Sequence, residues 1–188
     1  MTHPLPLHGL RVAILVEDGF EQVEMTGPRD ALRDAGAVTE IVSPKKDTVR
    51  GYNHEDPADE FKVDATIAEA DPMNYDALLL PGGVRNPDAL RIDNKSVLFV
   101  HAMETAKKPI AAICHGPWML VETGYVRGRT LTSWPSLRTD IVNAGGNWVD
   151  EPVVKDELLV TSRNPGDIPR FNKAMVELFT PTAQAVAG

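Results

Sequence analysis

The chain contains a single cysteine, Cys114, in the stretch Ala111-Ala112-Ile113-Cys114-His115-Gly116-Pro117. Ala112 and Gly116, two places before and two after it, are small. A sharp strand-to-helix turn demands this, because the strained backbone at such a nucleophile leaves no room for larger side chains. The pattern reads as a nucleophile elbow. A thiol at a helix N-terminus meets unpaired N–H groups and the positive end of the dipole, which predicts a low-pKa thiolate, and the His115 amide is placed to help hold an oxyanion. The competing reading is a buried, inert cysteine, the usual fate of a lone one. His115 adjoins the thiol, but sequence neighbours on a regular helix do not face each other, so only a distorted turn can bring the imidazole round.

Glu21 and Glu24, three residues apart, fall on one face of a helix that follows a strand, where an active cleft would open, although acidic residues in a first turn commonly serve only the dipole. Gly82-Gly83 after another strand can expose backbone N–H groups to a substrate oxygen, or can simply make a tight turn. Neither glycine pair nor cysteine has the spacing of a dinucleotide fingerprint or a Walker loop, so no nucleotide and no other cofactor is expected. His3, His8, His54 and His101 show no ligand spacing, and one cysteine excludes an intrachain disulfide and a multi-cysteine metal site; no metal is expected.

The elements that must position these residues alternate. Val12 to Val16 is a continuous apolar run, as in a strand buried on both faces, and Gln22 to Ala35 reads as a helix stopped by Gly36. Pro28 inside it predicts a kink or a regular start near Thr26. Val38 to Val42 is a second strand; the polar stretch with Gly51, Asn53, Asp56 and Pro57 reads as hairpin or loop rather than core. Ala77 to Leu80 is a strand, Lys95 to Lys107 a helix capped by Asp93 or Asn94, Pro109 to Ile113 a strand, and Trp118 to Val121 a buried helix ended by Gly124. Helices over Pro135 to Ala144 and Pro169 to Phe179, with a strand from Leu158 to Thr161 between them, complete the series. Strand and helix alternating in this way predict an α/β fold with a parallel sheet covered on both faces and active groups at the carboxyl ends of its strands.

A chain of 188 residues, 43% hydrophobic and 24% charged, fits one domain spanning 1–188 with a full core, and 180–188, rich in Ala, is expected to be a loose tail. The net charge of −8 repels a phosphate backbone, so no nucleic acid partner is expected. Apolar runs of about five residues are far short of the ~20 of a membrane span. The start of the chain, with Pro4, Pro6 and His8, lacks the basic region and long apolar stretch of a signal peptide, which predicts a cytoplasmic location.

Glu17-Asp18-Gly19-Phe20-Glu21-Gln22-Val23-Glu24, Leu80-Pro81-Gly82-Gly83 and Ala112-Ile113-Cys114-His115-Gly116-Pro117 together resemble the ThiJ/PfpI superfamily, in its PfpI-like intracellular peptidase and general-stress-protein branch. The likeness is nearly full length, extending through Thr132-Ser133-Trp134-Pro135-Ser136, Asn143-Ala144-Gly145-Gly146-Asn147-Trp148 and Val160-Thr161-Ser162-Arg163. It implies a flavodoxin-like three-layer sandwich related to class I glutamine amidotransferases. It also implies Cys114 as nucleophile, His115 as its partner, Glu24 as the carboxyl touching the sulfur, Glu21 as a second acid in the pocket, and the Gly83 and His115 amides as the oxyanion hole. In that branch a carboxylate from a neighbouring subunit completes a triad. Asp88 stands at that position where some relatives have Glu, which further implies a homodimer or higher homo-oligomer.

The function expected from this resemblance is a stress-response enzyme in which Cys114 attacks an electrophilic carbonyl, a 2-oxoaldehyde such as methylglyoxal, free or attached to protein. An intracellular cysteine peptidase is the second enzymatic reading, and a non-enzymatic sensor acting through oxidation of Cys114 is the third.

Overall fold

The computed structural model describes residues 5–186; His3 and Pro4 lie outside them. In chain order the elements are β1 (Arg11–Leu15), β2 (Phe20–Glu21), α1 (Gln22–Asp34), β3 (Val38–Ser43), β4 (Thr48–Asn53), β5 (Asp56–Lys62), β6 (Ala65–Thr66), β7 (Ala77–Leu80) and α2 (Arg85–Leu90). They continue with α3 (Asn94–Thr105), β8 (Ile110–Ile113), α4 (Trp118–Glu122), β9 (Thr130–Leu131), α5 (Arg138–Asn143), β10 (Asn147–Trp148), β11 (Val153–Asp156), β12 (Leu159–Ser162) and α6 (Ile168–Val186). Short 3-10 turns span Pro135–Leu137 and Pro165–Asp167.

Seven strands form the central sheet in the order β11-β12-β8-β7-β1-β3-β6. Every pairing in it is parallel except β11 with β12. The apolar runs foreseen as strands are buried on both faces because successive side chains serve opposite layers. Val12 and Ile14 of β1 pack with Leu79, Ile113 and Val160 against α1 and α6, through Met25, Leu32, Phe171, Met175 and Phe179. Ala13 and Leu15 pack with Leu78, Leu80 and Ala112 against the other layer, through Phe99, Met103, Met119 and Ile141. The result is a mostly parallel three-layer α/β sandwich. From β1 the chain moves outward to β3 and later returns to β7 on the other side. This makes a switch point at the carboxyl ends of β1 and β7, where a crevice opens in such sheets.

Several boundaries differ from the sequence reading. Pro28 neither delays nor ends α1, which starts at Gln22. The polar stretch is a hairpin of β4 and β5, as foreseen, and it hydrogen-bonds through β4 to β2 in a small sheet beside the crevice. Asp93 is the cap of α3, its Oδ2 accepting from Ser96 N at 2.8 Å. The expected helix from Pro135 is a 3-10 turn followed by the short α5. Instead of ending at Phe179 before a loose tail, α6 continues through Pro181 to Val186, with Ala183 buried. No helix among the described residues is long and apolar enough to cross a membrane.

Candidate active site

Three chain segments leaving β1, β7 and β8 meet at the switch point. They approach so closely that only glycine fits at two of the crossings. A Cβ on Gly82 would stand 2.3 Å from Glu24 Oε2 and 2.6 Å from Cys114 Cβ; one on Gly116 would stand 2.3 Å from the Leu80 carbonyl oxygen. Asn86, wholly buried on α2, ties the segments together: its amide donates to the carbonyls of Pro81 and Gly82 at 3.0 and 3.1 Å, and its Oδ1 accepts from Glu17 N at 2.7 Å.

Cys114 has φ +60°, in the left-handed region that a β-carbon disfavours, and two hydrogen bonds hold it there. Its N–H donates to the Ser162 carbonyl at the end of β12 (3.0 Å), and its carbonyl accepts from Trp134 N (2.9 Å). This is the strained elbow that the small neighbours foretold. The same distortion brings the imidazole round: His115 Nδ1 lies 3.3 Å from Cys114 Sγ, a contact that regular helical spacing forbids. The other ring nitrogen, Nε2, lies 3.3 Å from Ser136 Oγ. The ring stacks on Trp134 and meets Trp118 edge-on.

Glu24, from the first turn of α1, is wholly buried, and neither carboxyl oxygen has a hydrogen-bond partner among the described residues. Burial first, and then the charge of Glu21, push its pKa up to about 8. The Cys114 thiol and Gly82 amide are near enough to pull the other way, without the geometry of a formed hydrogen bond. A buried carboxyl in this state is protonated at neutral pH. Glu21 is also buried; its Oε2 accepts from His54 N at 3.0 Å, which fastens the β4–β5 turn over the site.

The expectation of a low-pKa thiolate is corrected. Burial pushes the Cys114 thiol up from its ordinary range, a charge on Glu24 would push it the same way only where that carboxyl is ionised, and the amides of Gly83 and His115 reach the sulfur and act in the opposite sense. The dipole that was to favour thiolate is also misplaced, because α4 begins only at Trp118 and is five residues long. His115 is lowered to about 4 by burial, so it is neutral, with a lone pair available to take a proton. The arrangement is a thiol beside a neutral base, suited to losing its proton during attack.

A cleft of about 340 Å³ opens above the thiol. Its walls include Glu21, Glu24, Gly83, Cys114 and His115, and also His54, Glu55, Trp134 and Pro165. The structure thus brings together all the foreseen site residues but one: Asp88 is on α2, exposed and outside the cleft walls. Sequence reasoning missed His54 and Glu55, which reach the cleft from the tip of a hairpin far away in the chain, and Ser136, whose only signal was its place two residues after Trp134. No cluster of three metal-ligating side chains occurs among the described residues.

The chain is 41% identical over 173 residues to protein/nucleic acid deglycase 2 of Escherichia coli, covering 90% of this chain and 97% of that protein. It is 42% identical over 173 residues to general stress protein 18 of Bacillus subtilis, covering 91% and 98%. Among solved structures, a two-domain protein from Anabaena variabilis, with DJ-1/ThiJ/PfpI-like and ferritin-like domains, superposes with a TM-score of 0.84 at 33% identity, over 89% of this chain and 47% of that one. The family profile of DJ-1/PfpI matches residues 10–178, a span running from the strand before the crevice to the last long helix and containing every wall of the cleft. The flavodoxin-like sandwich and these likenesses agree, and this chain belongs to the DJ-1/PfpI family.

Proposed function

We propose that the protein is a cytoplasmic stress-response enzyme whose Cys114 attacks electrophilic carbonyls, with a 2-oxoaldehyde such as methylglyoxal, free or attached to protein, as its substrate. The observation that carries this reading is the strained Cys114 with His115 Nδ1 at 3.3 Å, at the floor of a cleft it shares with the buried Glu24. Relatives named as a deglycase and as a general stress protein support the same direction.

In this reading the Cys114 proton passes to His115 as sulfur bonds to the aldehyde carbon, and the Gly83 and His115 amides, which face the sulfur, hold the developing oxyanion. Moving a proton from the aldehyde carbon to its neighbour, with His115 as base once it has passed the thiol proton to the oxyanion and protonated Glu24 as acid, gives a lactoyl thioester; water then releases lactate and restores the thiol. The sequence is an internal redox rearrangement, so no external oxidant or reductant is consumed.

Lactate formation from methylglyoxal by wild type and by Cys114→Ala tests it. The alanine variant should be inactive, and Glu24→Ala and His115→Ala should each lose about 10²- to 10⁴-fold, the usual share of a positioned acid or base. Undiminished lactate release by purified Cys114→Ala sinks the reading.

A further inference from the structure

His115 has a polar partner on each ring nitrogen, and only one of them is the nucleophile. Nδ1 faces Cys114 Sγ and Nε2 faces Ser136 Oγ, each at 3.3 Å. A neutral imidazole has one N–H and one lone pair, so the partner of one nitrogen decides what the other can do. Ser136 sits in the 3-10 turn that follows Trp134, whose N–H binds the Cys114 carbonyl and whose ring stacks on the imidazole. One short segment therefore carries the hydroxyl, the stacking surface and a tie to the elbow. The charged and titratable groups around the ring lie elsewhere. Glu21, Glu24, His54 and Glu55 are walls of the cleft, while Arg91 and Asp140 reach the imidazole only through Trp118, by cation–π contact and by its indole N–H.

We propose that Ser136 is a positioning residue that sets the tautomer of His115: Nε2–H donates to Ser136 Oγ, leaving the Nδ1 lone pair aimed at the Cys114 thiol. On attack, the S–H bond breaks and its proton forms an N–H bond at Nδ1. The products are a thiolate and an imidazolium with Nε2–H already engaged, so the pair keeps zero net charge. A hydroxyl fits this post because Ser136 is exposed: its own proton can turn to solvent while a lone pair accepts from the ring. The third member of the group thus comes from within the chain, whereas Asp88 can act only from a second copy.

The inference rests on Cys114 as nucleophile, so its test includes a readout that needs no substrate. Nitrogen-15 NMR of the His115 ring, at a pH where it is neutral, reports the tautomer in wild type, Ser136→Ala and Ser136→Thr. Wild type and the threonine variant should hold the proton on Nε2, and the alanine variant should show a mixture. Methylglyoxal turnover should fall about three- to tenfold in Ser136→Ala, the worth of one net hydrogen bond, at unchanged KM, and return in Ser136→Thr. A proton on Nδ1 in wild type, or an unmixed Nε2 tautomer in Ser136→Ala, overturns the proposal, as does a tautomer that depends on Asp88→Asn but not on Ser136. Should Cys114→Ala retain turnover while the tautomer follows Ser136, the ring wiring stands and the nucleophile assignment alone falls.

Discussion

A wholly buried carboxyl with no hydrogen-bond partner stays in a fold only by keeping its proton, and Glu24 is in that position among the described residues. With its pKa raised to about 8 in the fold and ordinary in the unfolded chain, the native state binds one proton more throughout the interval between. Stability falls where the native state holds the extra proton, so it should decline as pH rises from the usual carboxylate range to about 8, at up to about 1.4 kcal/mol per pH unit. Glu24→Gln, which keeps the shape of the neutral acid, should flatten that slope. Urea midpoints of the two proteins at pH 5, 7 and 9 measure it; parallel curves would mean that Glu24 is ionised in the native state at neutral pH.

The hairpin β4–β5 is tied to the body of the protein by its pairing with β2, by Asp18 and Gly19 bonding Arg50, by Phe61 against Phe20, and by the residues at the start of α1. Gln22, the first residue of α1, grips it by donating to Asp59 Oδ2 at 2.8 Å and accepting from Asp59 N at 2.9 Å. Gln22→Ala should therefore raise amide hydrogen exchange over the tip and second strand of the hairpin, about tenfold or more for the loss of two hydrogen bonds, while the central sheet stays protected. Exchange unchanged at the hairpin would assign its anchoring to its other ties, the Glu21, Asp18 and Gly19 contacts, the Phe20–Phe61 pair and the β2 pairing. This element also marks where the sequence stopped being legible. The central strands announced themselves as runs such as Ala77 to Leu80, because burial on both faces leaves no polar position to confuse the pattern. Glu21, Glu24, Gly83, Cys114 and His115 were legible for a related reason: each lies in the segment that leaves the carboxyl end of such a strand, and the sheet gathers those ends. Nothing local places His54 above Cys114, since a hairpin's direction is set by pairing with β2, a contact between segments about thirty residues apart. The ionisation of Cys114 was misread because a dipole can be inferred from neighbours in the chain, whereas desolvation is produced by residues distant in it.

On the scale of the whole molecule, the surface near α2 carries two exposed apolar side chains, Val84 at 56% and Ile92 at 84% exposure, flanking the helix that bears Asp88. We propose this face as part of a homodimer contact, and light scattering at micromolar concentration should return at least twice the chain mass of 20.5 kDa. A monomer there would leave Asp88 with no cysteine to serve. The backbone of Cys114 has a further consequence for the molecule as a whole. A domain is held together by a net of only about 5–15 kcal/mol, and a residue with a β-carbon in the left-handed region gives up about 1–2 kcal/mol of it. The reactive residue is thus a structural burden wherever it is not needed for chemistry. Replacement by glycine, which adopts this conformation freely, should yield a dead protein that melts several degrees above the equally dead Cys114→Ala. If so, selection for stability alone would remove the cysteine, and its presence in a folded chain would be a record of use.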